Sequence, residues 1–384
     1  MIKGPPPIAT TPGERAHSVP LAAALFWIYP LLLAAAELLV ASGRPLAGLL
    51  LHAALVLVLV YHSALGAPER GRNLALALLL VPLLRIVALA LPPSGSLLLS
   101  YALAGGGILV AAVLVLRALR LRPREVGLTT GELWMQLMVM GCGVALGYAG
   151  AVLLRPELPA GLASWQALAA LALALLVFAG FAEELIFRGL LQTVSGPLLG
   201  RWGPLYVAIV FATVQLGFGS PLYALQAFIV GLIFAGVVRL SGSIVGVALA
   251  HGVASIVMLL VMPSVRANPS SLLATALPLA MIIGGVCAAL AVILLVLARF
   301  ALRAPTGTAA QPAARPGMPV LSAAQVSRLR REAQLTYVEL ALRAGLPARL
   351  LAEIELGLAP LDPEHALRLA DGLGIPPQAL TATT

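Results

Sequence analysis

The chain has 384 residues, of which 61% are hydrophobic and 10% are charged, with a formal net charge of +9. A soluble domain carries about 25% charged residues, so this composition excludes a soluble core for most of the length. A hydrocarbon layer about 30 Å thick takes roughly 20 apolar residues per helical crossing, and such runs fill most of residues 19–299.

Residues 1–18 form a polar, Pro-rich leader. No short apolar run with a small-residue cleavage site precedes the first span, so the leader does not read as a cleaved signal peptide. Candidate spans then follow at 19–41, 46–66, 74–91, 98–118, 133–154, 164–190, 203–219, 221–240, 243–263 and 275–299. They are long, rich in Leu and Ala, and lack the alternation of barrel strands, which leaves helix as the spanning structure. The expected fold class is all-α, a polytopic membrane bundle of about ten transmembrane helices followed by a small soluble helical domain.

Lys and Arg concentrate in cytoplasmic loops. With ten spans, Lys3, Arg15, Arg70, Arg72, Arg117, Arg120, Arg122, Arg124, Arg201, Arg239, Arg299, Arg303 and Arg315 share one side. The other side keeps Arg44, Arg155 and Arg266. Both termini are therefore expected in the cytoplasm of a multi-pass cell-membrane protein, and the positive charge reads as a topology signal. Cys142 and Cys287 fall within spans as isolated packing residues, with neither disulfide nor metal-ligand spacing.

After Phe300 the composition changes. Residues 300–320 are rich in Ala, Pro, Gly and Thr and read as a flexible linker. Residues 321–384 regain charge and short amphipathic runs, the pattern of a small cytoplasmic helical domain.

A carboxylate at membrane depth costs at least about 2.5 kcal/mol, which makes each intramembrane ionisable group a functional candidate. Glu37, Arg85, Glu183, Glu184, Arg188 and His251 stand out. Glu37 and Arg85 lie in separate helices and suggest an interhelical ion pair or snorkelling side chains. In "FAGFAEELIFRGLL" the adjacent Glu183 and Glu184 point about 100° apart and invite two roles. Glu184 and Arg188 have the i,i+4 spacing of a structural pair. Glu183 is left without a local cation, suited to act as a general base, unless both glutamates serve Arg188. Gln215, His251 and Ser255 supply further polar groups at depth. A carboxylate, an imidazole and amide or hydroxyl donors sharing one cavity would activate water and stabilise an oxyanion.

These residues, in this order, resemble the CAAX protease and bacteriocin-processing family of intramembrane endopeptidases, also called CPBP or Abi. The family pattern is EExxxR, FxxxH and HxxxN on successive membrane helices. "EELIFRG" matches the first element, and Phe211 and His251 match the second and third. Gln215 replaces the second element's histidine, and Ser255 stands where Asn is usual. The resemblance covers about 125–260 and implies a protease, a hydrolase of a peptide or lipid-modified peptide at the lipid bilayer. It makes Glu183 the catalytic glutamate and His251, Gln215 and Ser255 its partners, with Glu184, Arg188 and Phe211 as structural support. Members are described both as metal-dependent and as using a glutamate-activated water. Glutamine is a poor zinc ligand, so the chain leans to the second, with no metal ligand set assigned and zinc disfavoured by Gln215.

Residues 321–384 resemble the helix-turn-helix domains of Cro-type and XRE-family repressors. The resemblance rests on "LTYVELALRAGLP", "ARLLAEIELG" and "ALRLADGLGI". Base reading falls to the start of the second motif helix, where Arg349 alone offers a base contact. The domain's charge is slightly acidic, which favours a protein partner for the tail over DNA. An alternative to the peptidase is a catalytically weakened or inactive membrane scaffold or regulator that signals through this tail, as Gln215 and Ser255 would permit. A transporter would show broken helices and repeat symmetry, which this sequence does not display.

Overall fold

The computed structural model describes residues 23–66, 69–90, 97–158, 164–301, 323–355 and 361–376. The expected leader, residues 19–22 of the first span, and residues 302–320 of the expected linker lie outside them. All regular structure among the described residues is helical. Among the described residues nine apolar stretches are long enough to cross a membrane, and they overlap the ten expected spans. Two of the ten lie in one stretch, Trp165–Phe218, whose 54 residues would run about 80 Å if straight. Gly200, at φ 56° and ψ −130°, breaks it in a conformation open to glycine.

The helices are α1 (Ala23–Ala41), α2 (Pro45–Ala64), α3 (Glu69–Ala90), α4 (Leu98–Ala118) and α5 (Leu133–Leu154). Then come α6 (165–199), α7 (Gly203–Gln215), α8 (Pro221–Ser241), α9 (Val245–Ala267) and α10 (Leu272–Ala301). Local chemistry sets several ends. The hydroxyls of Ser164 and Ser220 accept from Ala167 N and Tyr223 N, capping α6 and α8. Gly242, at φ 67°, closes α8 in the left-handed conformation.

Lipid gives little hydrophobic drive between helices, so close contact of small residues holds them together. Helix α9 sits between α5 and α6 by this means. Gly143 and Gly147 of α5 press on the carbonyls of Ala250 and Ala254. On the other face, a Cβ at Gly180 of α6 would come 2.6 Å from Ala248 O and 2.9 Å from Gly252 Cα. Cys142 and Cys287 are free thiols, and Cys287 packs against Gly141.

A strap, residues 119–131, joins α4 to α5 and ties two helices at one end of the bundle. Ile244 N donates to Gly127 O at 2.9 Å, Thr129 Oγ1 to Gly242 O at 3.0 Å, and Ser243 Oγ to Thr129 O at 2.5 Å. Gly246 N donates to Gln136 Oε1 at 2.6 Å, and Thr193 Oγ1 to Glu125 O at 3.1 Å. The strap thus fixes both the start of α9 and the end of α6.

Four short helices make the tail: α11 (Ala323–Glu332), α12 (Tyr337–Arg343), α13 (Ala348–Glu355) and α14 (Pro363–Leu373). A reciprocal capping box between Thr336 and Glu339 starts α12, and Asp362 caps α14. Val326, Leu340, Leu351 and Leu369 fill the core. Arg330, 7% exposed, pairs with Glu355 through Nε at 2.6 Å and Nη2 at 2.9 Å, and lies over the Tyr337 ring at 3.9 Å. Burial pushes the Tyr337 phenol above its ordinary pKa.

The turn between α11 and α12 rests on the strap. Arg122 Nη1 donates to Arg331 O, and Arg124 Nη1 to Gln334 O, each at 3.2 Å. Gly242 faces the Thr336 methyl.

Candidate functional site

Glu183 and Glu184 occupy α6 between two π-helical stretches, Leu175–Ala182 and Leu185–Leu191. Such wide turns inside α-helices are frequent at functional sites. The first contains Gly180, where α6 touches α9.

That contact brings the first and third sequence motifs together. Arg188 Nη1 donates to Glu184 Oε1 at 2.8 Å, at the expected i,i+4 spacing. His251 Nδ1 binds the same oxygen at 2.8 Å. Glu184 therefore does more than pair with Arg188: its carboxylate also orients His251. A carboxylate on Nδ1 favours the Nδ1–H tautomer and leaves Nε2 for a second partner.

Phe211 of α7 completes the cluster. The Arg188 guanidinium lies 4.3 Å from the Phe211 ring centre, with Phe234 at 5.5 Å and Phe187 at 5.9 Å. These ring faces attract the cation where oxygen acceptors are scarce, as Arg188 Nε and Nη2 lack hydrogen-bond partners among the described residues. The Phe211 ring also meets His251 edge to face at 5.8 Å. Gln215 lies one turn beyond Phe211 on α7, and Ser255 one turn beyond His251 on α9; both are buried.

Glu183 contrasts with its neighbour. Its side chain is half-buried, and no hydrogen bond or ion pair engages its carboxylate among the described residues. It lies within electrostatic reach of His251, Glu184, Arg85 and Arg188. Tyr101 of α4 and Tyr223 of α8 also feel it. A lone tyrosine in an apolar span gave no sequence signal, because phenols are common at such positions.

The other intramembrane ions form a second cluster. Glu37 Oε1 accepts from His52 Nε2 at 3.0 Å and from Arg85 Nε, and Glu37 Oε2 accepts from Arg85 Nη2 at 2.8 Å. Glu37 and Arg85 are thus an interhelical pair, one of the two expected roles. His52 was not among the ionisable candidates, although the rule that flags a charge at membrane depth points to it equally.

Among the described residues, no group of three His, Cys, Asp or Glu side chains has a metal-holding arrangement. His251 Nδ1 is committed to Glu184, and Gln215 offers an amide where a zinc site would use imidazole. The donor set does not fit a three-ligand zinc site. Arg349 starts the second turn-flanking helix of the tail, and its side chain lies outside the described residues.

A family model described as Type II CAAX prenyl endopeptidase Rce1-like matches residues 165–257. A helix-turn-helix model matches residues 326–380. No curated protein and no solved structure matches the chain significantly. The first match spans α6 to α9 and contains Glu183, Glu184, Arg188, Phe211, Gln215, His251 and Ser255. Residues 165–257 of a multi-pass helical bundle are thus similar to the Rce1-like CAAX prenyl endopeptidase family, and a helix-turn-helix region follows.

Proposed function

We propose that the bundle is an intramembrane endopeptidase that cleaves a peptide or lipid-modified peptide with water activated by Glu183. One observation carries this reading: of two adjacent glutamates, Glu184 holds both Arg188 and His251, while Glu183 is unengaged and partly accessible. Glu183 takes a proton from water as the oxygen attacks the scissile carbonyl. His251, oriented by Glu184, accepts from the water at Nε2 or, as the imidazolium, donates from Nε2 to the developing oxyanion, to which Gln215 and Ser255 also donate hydrogen bonds. Collapse of the intermediate breaks the C–N bond, and Glu183 returns its proton to the departing amine. Glutamine in place of the family's histidine supplies a donor but no basic nitrogen, which leaves the water's proton to Glu183.

Glu183→Gln is the test, with the purified full-length protein in proteoliposomes and a panel of peptides and farnesylated peptides. Cleavage is expected to fall by about 10²- to 10⁴-fold with the melting temperature little changed. An active wild type that keeps its rate in this variant would refute the mechanism.

Gln215 and Ser255 support a second reading, in which the bundle is a scaffold or regulator with weakened or absent catalysis and signals through its tail. Gln215→His separates the two. A rise in cleavage from a negligible wild-type rate favours the weakened site, and an active wild type that gains nothing favours the Gln215 mechanism above.

The tail is best read as a protein-contacting module. Its turn already accepts hydrogen bonds from Arg122 and Arg124 of its own chain, and its charged residues are slightly acidic in balance. A salt-dependent mobility shift of duplex DNA by the full-length protein would overturn this. The distribution of arginines supports a cytoplasmic side for both termini, which protease protection of tags at each end in sealed vesicles would check.

A further inference from the structure

The second ionic cluster borders the candidate site. Glu37 comes from α1, His52 from α2 and Arg85 from α3, all outside the segment that matches the endopeptidase model. Their point of contact with that segment is Gly217, in the tight turn Leu216–Phe218 that ends α7 immediately after Gln215. A Cβ at Gly217 would collide with Glu37 Oε2 and come 2.8 Å from Arg85 Nη2. Arg85 commits Nε and Nη2 to the carboxylate in a bidentate clasp. Its side chain is 13% exposed, against 0% for Glu37 and His52, so Arg85 is the least buried member of the group.

We propose that Arg85 is a positioning residue of the Glu183 site, held by Glu37 and His52 so that it seats the Leu216–Phe218 turn, and with it Gln215. This rests on the peptidase reading of Glu183. The clasp makes physical sense for this chain. A glutamine side chain has several rotamers and, among the described residues, no hydrogen bond fixes this one, so its aim depends on the backbone that carries it. The backbone beyond Gln215 is pinned by the Glu37 carboxylate packed on Gly217. The His52 bond to Oε1 and the Arg85 clasp leave that carboxylate no other orientation.

Gly217→Ala tests this without removing any charge. The added methyl displaces the Glu37–Arg85 pair from the turn, and kcat is expected to drop by about 10- to 100-fold with KM within about twofold, as for a small misplacement of a reacting group. Arg85→Gln is expected to lose at least as much, and Arg85→Lys to recover only part, since an ammonium cannot make the bidentate clasp. A structural role alone would lower the melting temperature and leave the kcat of the folded fraction intact. Amide hydrogen exchange across residues 213–219 is the arm independent of cleavage, with exchange in Gly217→Ala expected to rise about tenfold there and stay unchanged at the α5–α9 contacts. Unaltered exchange, or wild-type kcat in both Gly217→Ala and Arg85→Gln, overturns the proposal. Should the wild type cleave no peptide, the exchange result still decides whether the clasp seats the turn, and the peptidase reading fails separately.

Discussion

Two buried clusters in this bundle are built from the same three groups, a glutamate that binds one arginine and one histidine. In the first, Glu184 Oε1 receives Arg188 and His251; in the second, Glu37 Oε1 receives His52 and Arg85. They differ in access. His251 keeps 18% of its side chain exposed, with Nε2 uncommitted. His52 is fully buried, and its spare Nδ1 has no partner among the described residues. Glu37 uses both oxygens on Arg85, whereas Glu184 uses one and leaves its arginine to three aromatic rings. Most of all, Glu184 has an unengaged carboxylate beside it in the chain, while the neighbours of Glu37 are Ala36 and Leu38. The comparison teaches that a carboxylate–arginine–histidine cluster is by itself an anchor. It becomes a candidate for chemistry only where it orients a histidine towards an accessible, unpaired acid.

The largest expected effect breaks that distinction directly. Glu183→Gln should cost about 10²- to 10⁴-fold in turnover and little stability, since no bond to its carboxylate is lost. Glu184→Gln should cost both, because it breaks a buried ion pair, worth about 3–5 kcal/mol, and releases His251. Thermal unfolding and cleavage rate measured on the same preparations check the pair. Equal stability losses in the two variants would erase the difference drawn between them.

How much of this was legible in the sequence depends on how local each relation is. Glu184 and Arg188 share one face of one helix, so their pairing followed from spacing alone. The bond from His251 to Glu184 crosses helices, and it rests on the meeting of Gly180 and Gly252, small residues that carry no signal among so many glycines. The π-helical turns around the glutamates likewise arise from packing and have no local sequence mark. Glu37 and Arg85 were visible as ions at depth, yet their meeting with His52 and Gly217 joins four segments. The spans themselves were legible because twenty apolar residues leave few alternatives. One stretch combined two of them because only the short helical turn Gly200–Trp202 separates α6 from α7.

A middle-sized effect sharpens the reading of the second cluster as an anchor. Glu37→Gln alone leaves Arg85 without its counter-ion and puts an amide donor in place of one acceptor oxygen, and should lose about 3–5 kcal/mol. Glu37→Met with Arg85→Met removes the buried charges together and should recover most of that stability. Chemical denaturation of the purified protein reads the difference. In the tail, Arg330→Met should likewise cost about 3 kcal/mol by stranding Glu355, 2% exposed, and it should unfold the tail without touching the membrane helices. Loss of the tail's cooperative transition with the bundle's transition retained is the expected outcome.

The smallest effect belongs to the contact between tail and strap. Arg122 and Arg124 donate to main-chain carbonyls of the 331–336 turn, and the exposed Arg331 Nε lies 4.0 Å from Glu125 Oε1 of the strap. Two such exposed bonds, at about 0.5–1.5 kcal/mol each, would hold no free partner, but a tether of some twenty residues makes the docking intramolecular. Arg122→Ala with Arg124→Ala should therefore lower the docked population by about tenfold, as about 1.4 kcal/mol implies. Spin labels at the exposed Leu342 and Trp202, with Cys142 and Cys287 replaced by alanine, would report it as a broadened distance distribution. Turnover should change by less than about threefold, because the strap holds α6 through Thr193 and Glu125 and the start of α9 through Gly127, Thr129 and Ser243, bonds that the two arginine side chains do not make. A large change in turnover would mean that the tail reaches Glu183 through the strap, and the helix-turn-helix domain would then be part of the control of the site.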